Sequence, residues 1–289
     1  PLTVVILGHV DAGKSTVTGH LLYNNTSAKS SRIPVNFAWL LDEDEQERAR
    51  GVTMEIATKQ LETNNFQIVL QDAPGHADFV PAMITGAAAA DAALLVVDAA
   101  SSDIRKGQLR EHVYLAKGLG VNQMVVVLNK MDLVGWDNSQ AYSSMESQVR
   151  DFLTQAGYPS SKVRCLPASG LTGTNINVND NETLQSWYQG PTVLQALDGF
   201  DTPPQQPKQL EKPLRMVVAD VLEGGNAVSI RAKIVAGWVQ NNEKLVVLPV
   251  GDEATLTKAS SLHNTDLRKA FGAGEMVDCS LVGVDPQRI

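Results

Sequence analysis

Pro1-Leu2-Thr3-Val4-Val5-Ile6-Leu7-Gly8-His9-Val10-Asp11-Ala12-Gly13-Lys14-Ser15 opens the chain, and its reading decides the fold. The apolar, mostly β-branched run Val4 to Leu7 reads as a buried strand. Gly8 to Ser15 then has the spacing G-x-x-x-x-G-K-S, a loop that leads from a strand into a helix. Successive backbone N–H groups in such a loop form an anion nest, and the helix N-terminus adds partial positive charge. A lysine placed like Lys14 reaches the β- and γ-phosphates of a nucleotide, and a hydroxyl placed like that of Ser15 coordinates Mg²⁺. The strand–loop–helix context weighs against the alternative, a glycine-rich turn carrying a surface lysine.

Outward from this loop, short apolar runs alternate with longer helical stretches. Val4–Leu7, Gln67–Leu70, Ala93–Val97 and Met124–Leu128 read as strands; Phe79–Ala90, Leu109–Gly118 and Ser143–Ala156 read as helices. The alternation predicts an α/β domain over residues 1–201, a mostly parallel sheet with helices on both faces. Thr202-Pro203-Pro204-Gln205-Gln206-Pro207-Lys208 is stiff and polar, and predicts a linker over 202–211. Beyond it the period changes. Leu214–Val221, Ala227–Val235, Lys244–Leu248 and Met276–Val282 read as strands between Gly, Asn and Pro turns, so residues 212–289 are expected to form a small all-β barrel or sandwich.

Three further motifs lie in the first domain, the first two of them after strands. Asp72-Ala73-Pro74-Gly75 ends one: its carboxylate can hold Mg²⁺ through water, and the Gly75 N–H can meet a γ-phosphate. Alone, this pattern is a common turn. Asn129-Lys130-Met131-Asp132 ends another. A carboxylate at Asp132 can accept from both N1–H and the 2-amino group of guanine, whereas adenine would leave it facing a lone pair. Such a mismatch discriminates by about 10⁴-fold. The Lys130 stem can lie against the base; the bland alternative is a strand-to-helix cap. Ser169-Gly170-Leu171 is weak by itself, and its backbone could contact guanine O6.

Composition narrows the rest. Hydrophobic residues make up 43% of 289 and charged residues 19%, enough apolar material for packed cores. Lys+Arg 24 against Asp+Glu 32 gives a net charge of −8, so nothing global draws the chain to phosphate backbones. No DNA partner is expected. Cys165 and Cys279 are the two cysteines, which suits a reducing, cytoplasmic setting. No signal peptide, membrane span or zinc site is expected, and a monomer is. His112 is expected to be structural, and Trp136 and Trp238 to be packing anchors.

Gly8-His9-Val10-Asp11-Ala12-Gly13-Lys14-Ser15-Thr16, Glu47-Arg48-Ala49-Arg50-Gly51-Val52-Thr53, Asp72-Ala73-Pro74-Gly75-His76 and Asn129-Lys130-Met131-Asp132 together resemble the translation-factor GTPases, within them the elongation factor one alpha branch. Phe37-Ala38-Trp39-Leu40-Leu41-Asp42, Gly51-Val52-Thr53-Met54, Trp187-Tyr188-Gln189-Gly190-Pro191 and Ala236-Gly237-Trp238-Val239-Gln240 resemble the Hbs-type ribosome-rescue GTPases, which partner Pelota. The resemblance covers nearly the whole chain. It implies GTP and GDP as ligands and Mg²⁺ held by Ser15, Thr53 and, through water, Asp72. It implies nucleotide contacts from Gly8 to Thr16, Asp72, Gly75, Asn129, Lys130, Asp132 and Ser169 to Leu171. His76 would orient the attacking water, with Val10 and Val52 as an apolar gate, and the ribosome would be engaged through local rRNA contacts.

Departures from the pattern are Ala77, Ala82 and Ala89, where polar or basic residues are usual, and short stretches at Tyr23–Phe37 and Ser102–Arg105, with residues expected to be missing near Ala28–Val35 and Ser101–Gly107. The sequence is also expected to lack the family's third domain, a second β-barrel. An aminoacyl-tRNA delivery factor, a termination-factor GTPase and a non-hydrolysing nucleotide switch stay open as alternatives.

Overall fold

The computed structural model describes residues 2–25, 57–72, 90–101, 109–201, 210–222, 227–261, 270–286 and 289. They divide into two compact units, Leu2–Asp201 and Thr202–Ile289.

In the first unit, the described strands form one six-stranded sheet: β1 (Leu2–Gly8), β2 (Ala57–Glu62), β3 (Gln67–Asp72), β4 (Ala92–Asp98), β5 (Met124–Asn129) and β6 (Val163–Pro167). Their order is β2-β3-β1-β4-β5-β6, and all pairs are parallel except β2 with β3. Side chains on a strand alternate between faces, and β1 shows both faces buried. Leu2, Val4 and Ile6 join one core with Val17 and Leu21 of helix α1 (Lys14–Asn25). Val5 and Leu7 join the other, with Val113 and Ala116 of α2 (Leu109–Gly118).

The chain thus leaves β1 onto one face and leaves β4 onto the opposite face. The crevice at the C-terminal ends of β1 and β4 is the topological switch point, where open α/β sheets place their ligands. The loop Gly8–Lys14 starts there.

The second unit holds β7 (Arg215–Leu222), β8 (Val228–Ala236), β9 (Trp238–Gln240), β10 (Glu243–Val247), β11 (Asp252–Ser261), β12 (Ala270–Gly272) and β13 (Met276–Val282). Its described strands make a five-stranded antiparallel sheet, β10-β11-β13-β8-β7, and a β12-β9 pair about one core. The α/β-then-all-β expectation holds, as half of a barrel.

Strand bounds moved by at most two residues, and five strands were not anticipated: β2, β6, β9, β11 and β12. β11 reads Asp252-Glu253-Ala254-Thr255-Leu256-Thr257-Lys258-Ala259-Ser260-Ser261, mostly polar, and a bulge between Leu256 and Lys258 breaks its alternation. The helix expected from Ser143 starts earlier, at Ser139, because the Asn138 side chain accepts from the Ala141 N–H at 3.1 Å and caps it. Trp136 is a packing anchor as expected, its carbonyl accepting from Trp187 Nε1–H at 2.7 Å. Trp238 is not, being 48% exposed. Residues 79–89 of the helix expected over 79–90, 202–209 of the linker expected over 202–211, 26–37 of the first shortened stretch, all of the second, and Ala77, Ala82 and Ala89 lie outside the described residues. No helix among those described is long and apolar enough to cross a membrane.

Candidate functional site

The loop after β1 owes its path to two glycines. Gly8 has φ 153° and Gly13 φ 90°, and Asp11 between them is left-handed at 61°. A Cβ on Gly8 would lie 2.3 Å from the Val96 carbonyl oxygen in the middle of the sheet; one on Gly13 would lie 2.3 Å from Asn129 Nδ2. Only glycine fits at either place. The Ala12 N–H donates to His9 O at 3.2 Å, closing the turn before α1 begins.

Lys14 folds back inside this loop. Its Nζ donates to Gly8 O at 3.2 Å and His9 O at 3.1 Å, and the residue is 8% exposed. Burial lowers its pKa, against the opposing pull of the Asp72 and Asp11 carboxylates. A nearly buried ammonium held, among the described residues, only by two backbone carbonyls keeps its positive charge uncompensated at this loop, which suits an anion. Beside it, the Ser15 hydroxyl donates to Asp72 Oδ2 at 3.0 Å, and Asp72 is fully buried at the end of β3. A hydroxyl and a carboxylate in contact are the hard oxygen donors that Mg²⁺ takes alongside waters and phosphates, so the residues present fit that ion.

Asn129 ties three loops together. At 2% exposure, its Nδ2 donates to Ala12 O at 2.7 Å and its Oδ1 accepts from the Gly170 N–H at 2.7 Å. The Gly170 amide is therefore spent on Asn129 rather than free for guanine O6. Ser169 is fully buried, its N–H donating to Thr174 O and its hydroxyl accepting from the Thr172 N–H, while Leu171 stands 76% exposed beside them. Lys130 is left-handed at φ 64°, and its Nζ meets Asp98 Oδ2 at 2.6 Å.

Asp132 sits in the first turn of α3 (Met131–Val134). Its Oδ1 is shut from water and has no hydrogen-bond partner among the described residues. A buried carboxylate oxygen left unpaired is costly, by about 1–3 kcal/mol, and a base N–H placed against it would relieve that cost.

The structure thus gathers Gly8 to Thr16, Asp72, Asn129, Lys130, Asp132 and Ser169 to Leu171 around the ends of β1, β3, β4, β5 and β6. Thr53, Gly75, His76 and Val52 lie outside the described residues. Sequence reasoning missed Asp98, an acid whose strand-end place opposite Asn129 is visible only in the sheet register. His112 is structural as expected: 2% exposed, with its pKa pushed down to about 4 by burial, then by the charges of Lys14 and His9.

The family model for the elongation factor Tu GTP binding domain matches residues 2–223. The chain belongs to the elongation factor Tu GTP-binding family. Among relatives in that family, Protein HBS1 of Drosophila melanogaster is 37% identical over 98% of this chain and 44% of its own length. Elongation factor 1-alpha of Desulfurococcus mucosus is 38% identical over all of this chain and 69% of its own. The chain therefore spans less than half of the fly protein. The fold is shared with a bacterial selenocysteine-specific elongation factor, at TM-score 0.71 and 24% identity over all of this chain and 43% of the other.

Proposed function

We propose that this chain is the GTP-binding and adjoining β unit of a GTP-hydrolysing translation factor that rescues stalled ribosomes with a Pelota-type partner. The reading rests most directly on the Asp132 oxygen, buried without a donor among the described residues in a site whose other parts suit phosphate. Guanine offers it two N–H donors; adenine offers none at N1.

In this reading Lys14 and the loop amides from Gly8 to Ser15 hold the β- and γ-phosphates and neutralise charge as the terminal phosphoryl group leaves. Ser15, Thr53 and, through water, Asp72 would hold Mg²⁺, which would supply positive charge against the phosphates. His76 orients the water for in-line attack, and Gly75 donates to the γ-phosphate. Covalent work by the protein is small; orientation and fixed charge supply the rate. The segments around Thr53 and Gly75, released when the γ-phosphate is lost, would carry the signal outward. The factor would act in the cytoplasm as a monomer.

Turnover of GTP measured with and without ribosomes tests the enzyme; His76→Ala should keep GTP affinity and lose the stimulated rate. Stimulated turnover that survives His76→Ala would assign the water to another residue. The archaeal elongation factor, as similar as the fly protein, favours a second reading: delivery of aminoacyl-tRNA. The net charge of −8 speaks for the protein partner, because gripping tRNA needs several Lys and Arg contacts to phosphate. Calorimetric titration of the GTP-loaded full-length protein decides between them. Tight, salt-sensitive binding to charged tRNA, with none to Pelota, would overturn the rescue reading.

A further inference from the structure

Lys130 occupies a backbone conformation that side chains disfavour, φ 64°, and its ammonium is drawn back over the end of β4 to Asp98, Nζ to Oδ2 2.6 Å. Asp98 pairs in register with Asn129, and the next residue, Ala99, donates its N–H to Asn129 O at 2.8 Å. The other Asp98 oxygen, Oδ1, accepts from the Ala100 N–H at 2.8 Å and closes the turn after β4. The two carboxylate oxygens thus act separately, one shaping the turn and the other holding Lys130. The two side chains keep 29% and 27% exposure, so the pair is partly desolvated at the rim of the site. An unpaired lysine samples many rotamers, and ordering it upon ligand binding costs entropy.

We infer that Asp98 is a positioning residue for guanine binding. By anchoring the Lys130 ammonium, it fixes the methylene stem of that lysine as a ready-made wall for the base. The inference rests on the reading above in which the Lys130 stem lies against guanine.

The test is the dissociation rate of a fluorescent GDP analogue from the protein, followed by stopped flow. Asp98→Asn retains an oxygen for the Ala100 N–H but removes the charge that holds Lys130. A partly exposed ion pair supports an increase of about two- to fivefold in the rate. The ratio of variant to wild type should shrink toward one in about 1 M salt, where the wild-type pair is itself screened. In a Lys130→Ala background, Asp98→Asn should change nothing further. Should Lys130→Ala release GDP at the wild-type rate, Lys130 is no base wall and the inference falls with that reading. Should Lys130→Ala release it faster while Asp98→Asn does not, the role of Asp98 alone is overturned. An equal effect of Asp98→Asn with and without the lysine would also overturn it, assigning the effect to the β4 turn.

Discussion

Asn129→Ala removes the side chain that joins the phosphate loop to the Ser169–Leu171 loop. The structure sets the scale. Two hydrogen bonds of 2.7 Å are lost, to Ala12 O and from the Gly170 N–H, at a residue 2% exposed. Each backbone group left without its partner costs about 1–3 kcal/mol. Water entering the vacated space recovers part of this, so about 2–4 kcal/mol is expected for the pair. Urea unfolding followed by the fluorescence of Trp136 and Trp187, both in the same unit as Asn129, measures it. Because the same bonds hold the phosphate loop in place, GDP release should also be at least about tenfold faster. Asn129→Asp is the informative control. It keeps an acceptor for Gly170 while setting a carboxylate oxygen against the Ala12 carbonyl, and should be no better than alanine. A stability within about 0.5 kcal/mol of wild type for Asn129→Ala would refute the idea that this amide is the junction of the site.

Gly8→Ala should be among the most damaging changes, since the added methyl meets the Val96 backbone carbonyl, which cannot move without disturbing β4. A loss of more than about 2 kcal/mol in urea unfolding is expected, and a neutral result would contradict the tight approach of loop and strand. His112 predicts a pH dependence. Its pKa in the folded chain, about 4, lies below the ordinary histidine value, so its neutral form is the one the fold accepts. Stability is therefore full above about pH 6.5 and falls by roughly 3 kcal/mol as pH drops to about 4. His112→Leu should flatten that part of the curve between pH 7 and 4; an unchanged slope would assign it to other groups.

The parts legible in the sequence were those with a period or a spacing. Val4 to Leu7 is apolar on both faces and runs straight into the glycine and lysine spacing, so strand, loop and helix could be read together. The sheet's other central strands, Ala93–Val97 and Met124–Leu128, were equally plain for the same reason. β2 and β6 escaped because they are the edge strands: Ala57-Thr58-Lys59-Gln60-Leu61-Glu62 has few apolar residues, and Val163-Arg164-Cys165-Leu166-Pro167 ends on a proline. β11 escaped because its core face reduces to Ala254, Leu256 and, past the bulge, Ala259.

At the site, the motifs named the residues but not their connections. Asn129 could be assigned to the base loop from its neighbours, yet its bond to Ala12, 117 residues earlier, belongs to the sheet order β1-β4-β5. Asp98 was invisible for a similar reason, since an acid after a buried strand looks like any turn residue until the register sets it opposite Asn129.

Guanine recognition by Asp132 is the step on which the functional reading turns, and exchanging one of its acceptors for a donor probes it without disturbing the phosphate loop. Asp132→Asn replaces one carboxylate oxygen with an N–H₂ donor, which clashes with the guanine 2-amino group and suits the carbonyl that xanthine carries there. Competition binding of GTP and xanthosine triphosphate to wild type and Asp132→Asn is the measurement. Wild type should prefer GTP and the variant xanthosine triphosphate, each by about tenfold or more. An unchanged preference for GTP in Asp132→Asn would contradict guanine recognition by this carboxylate.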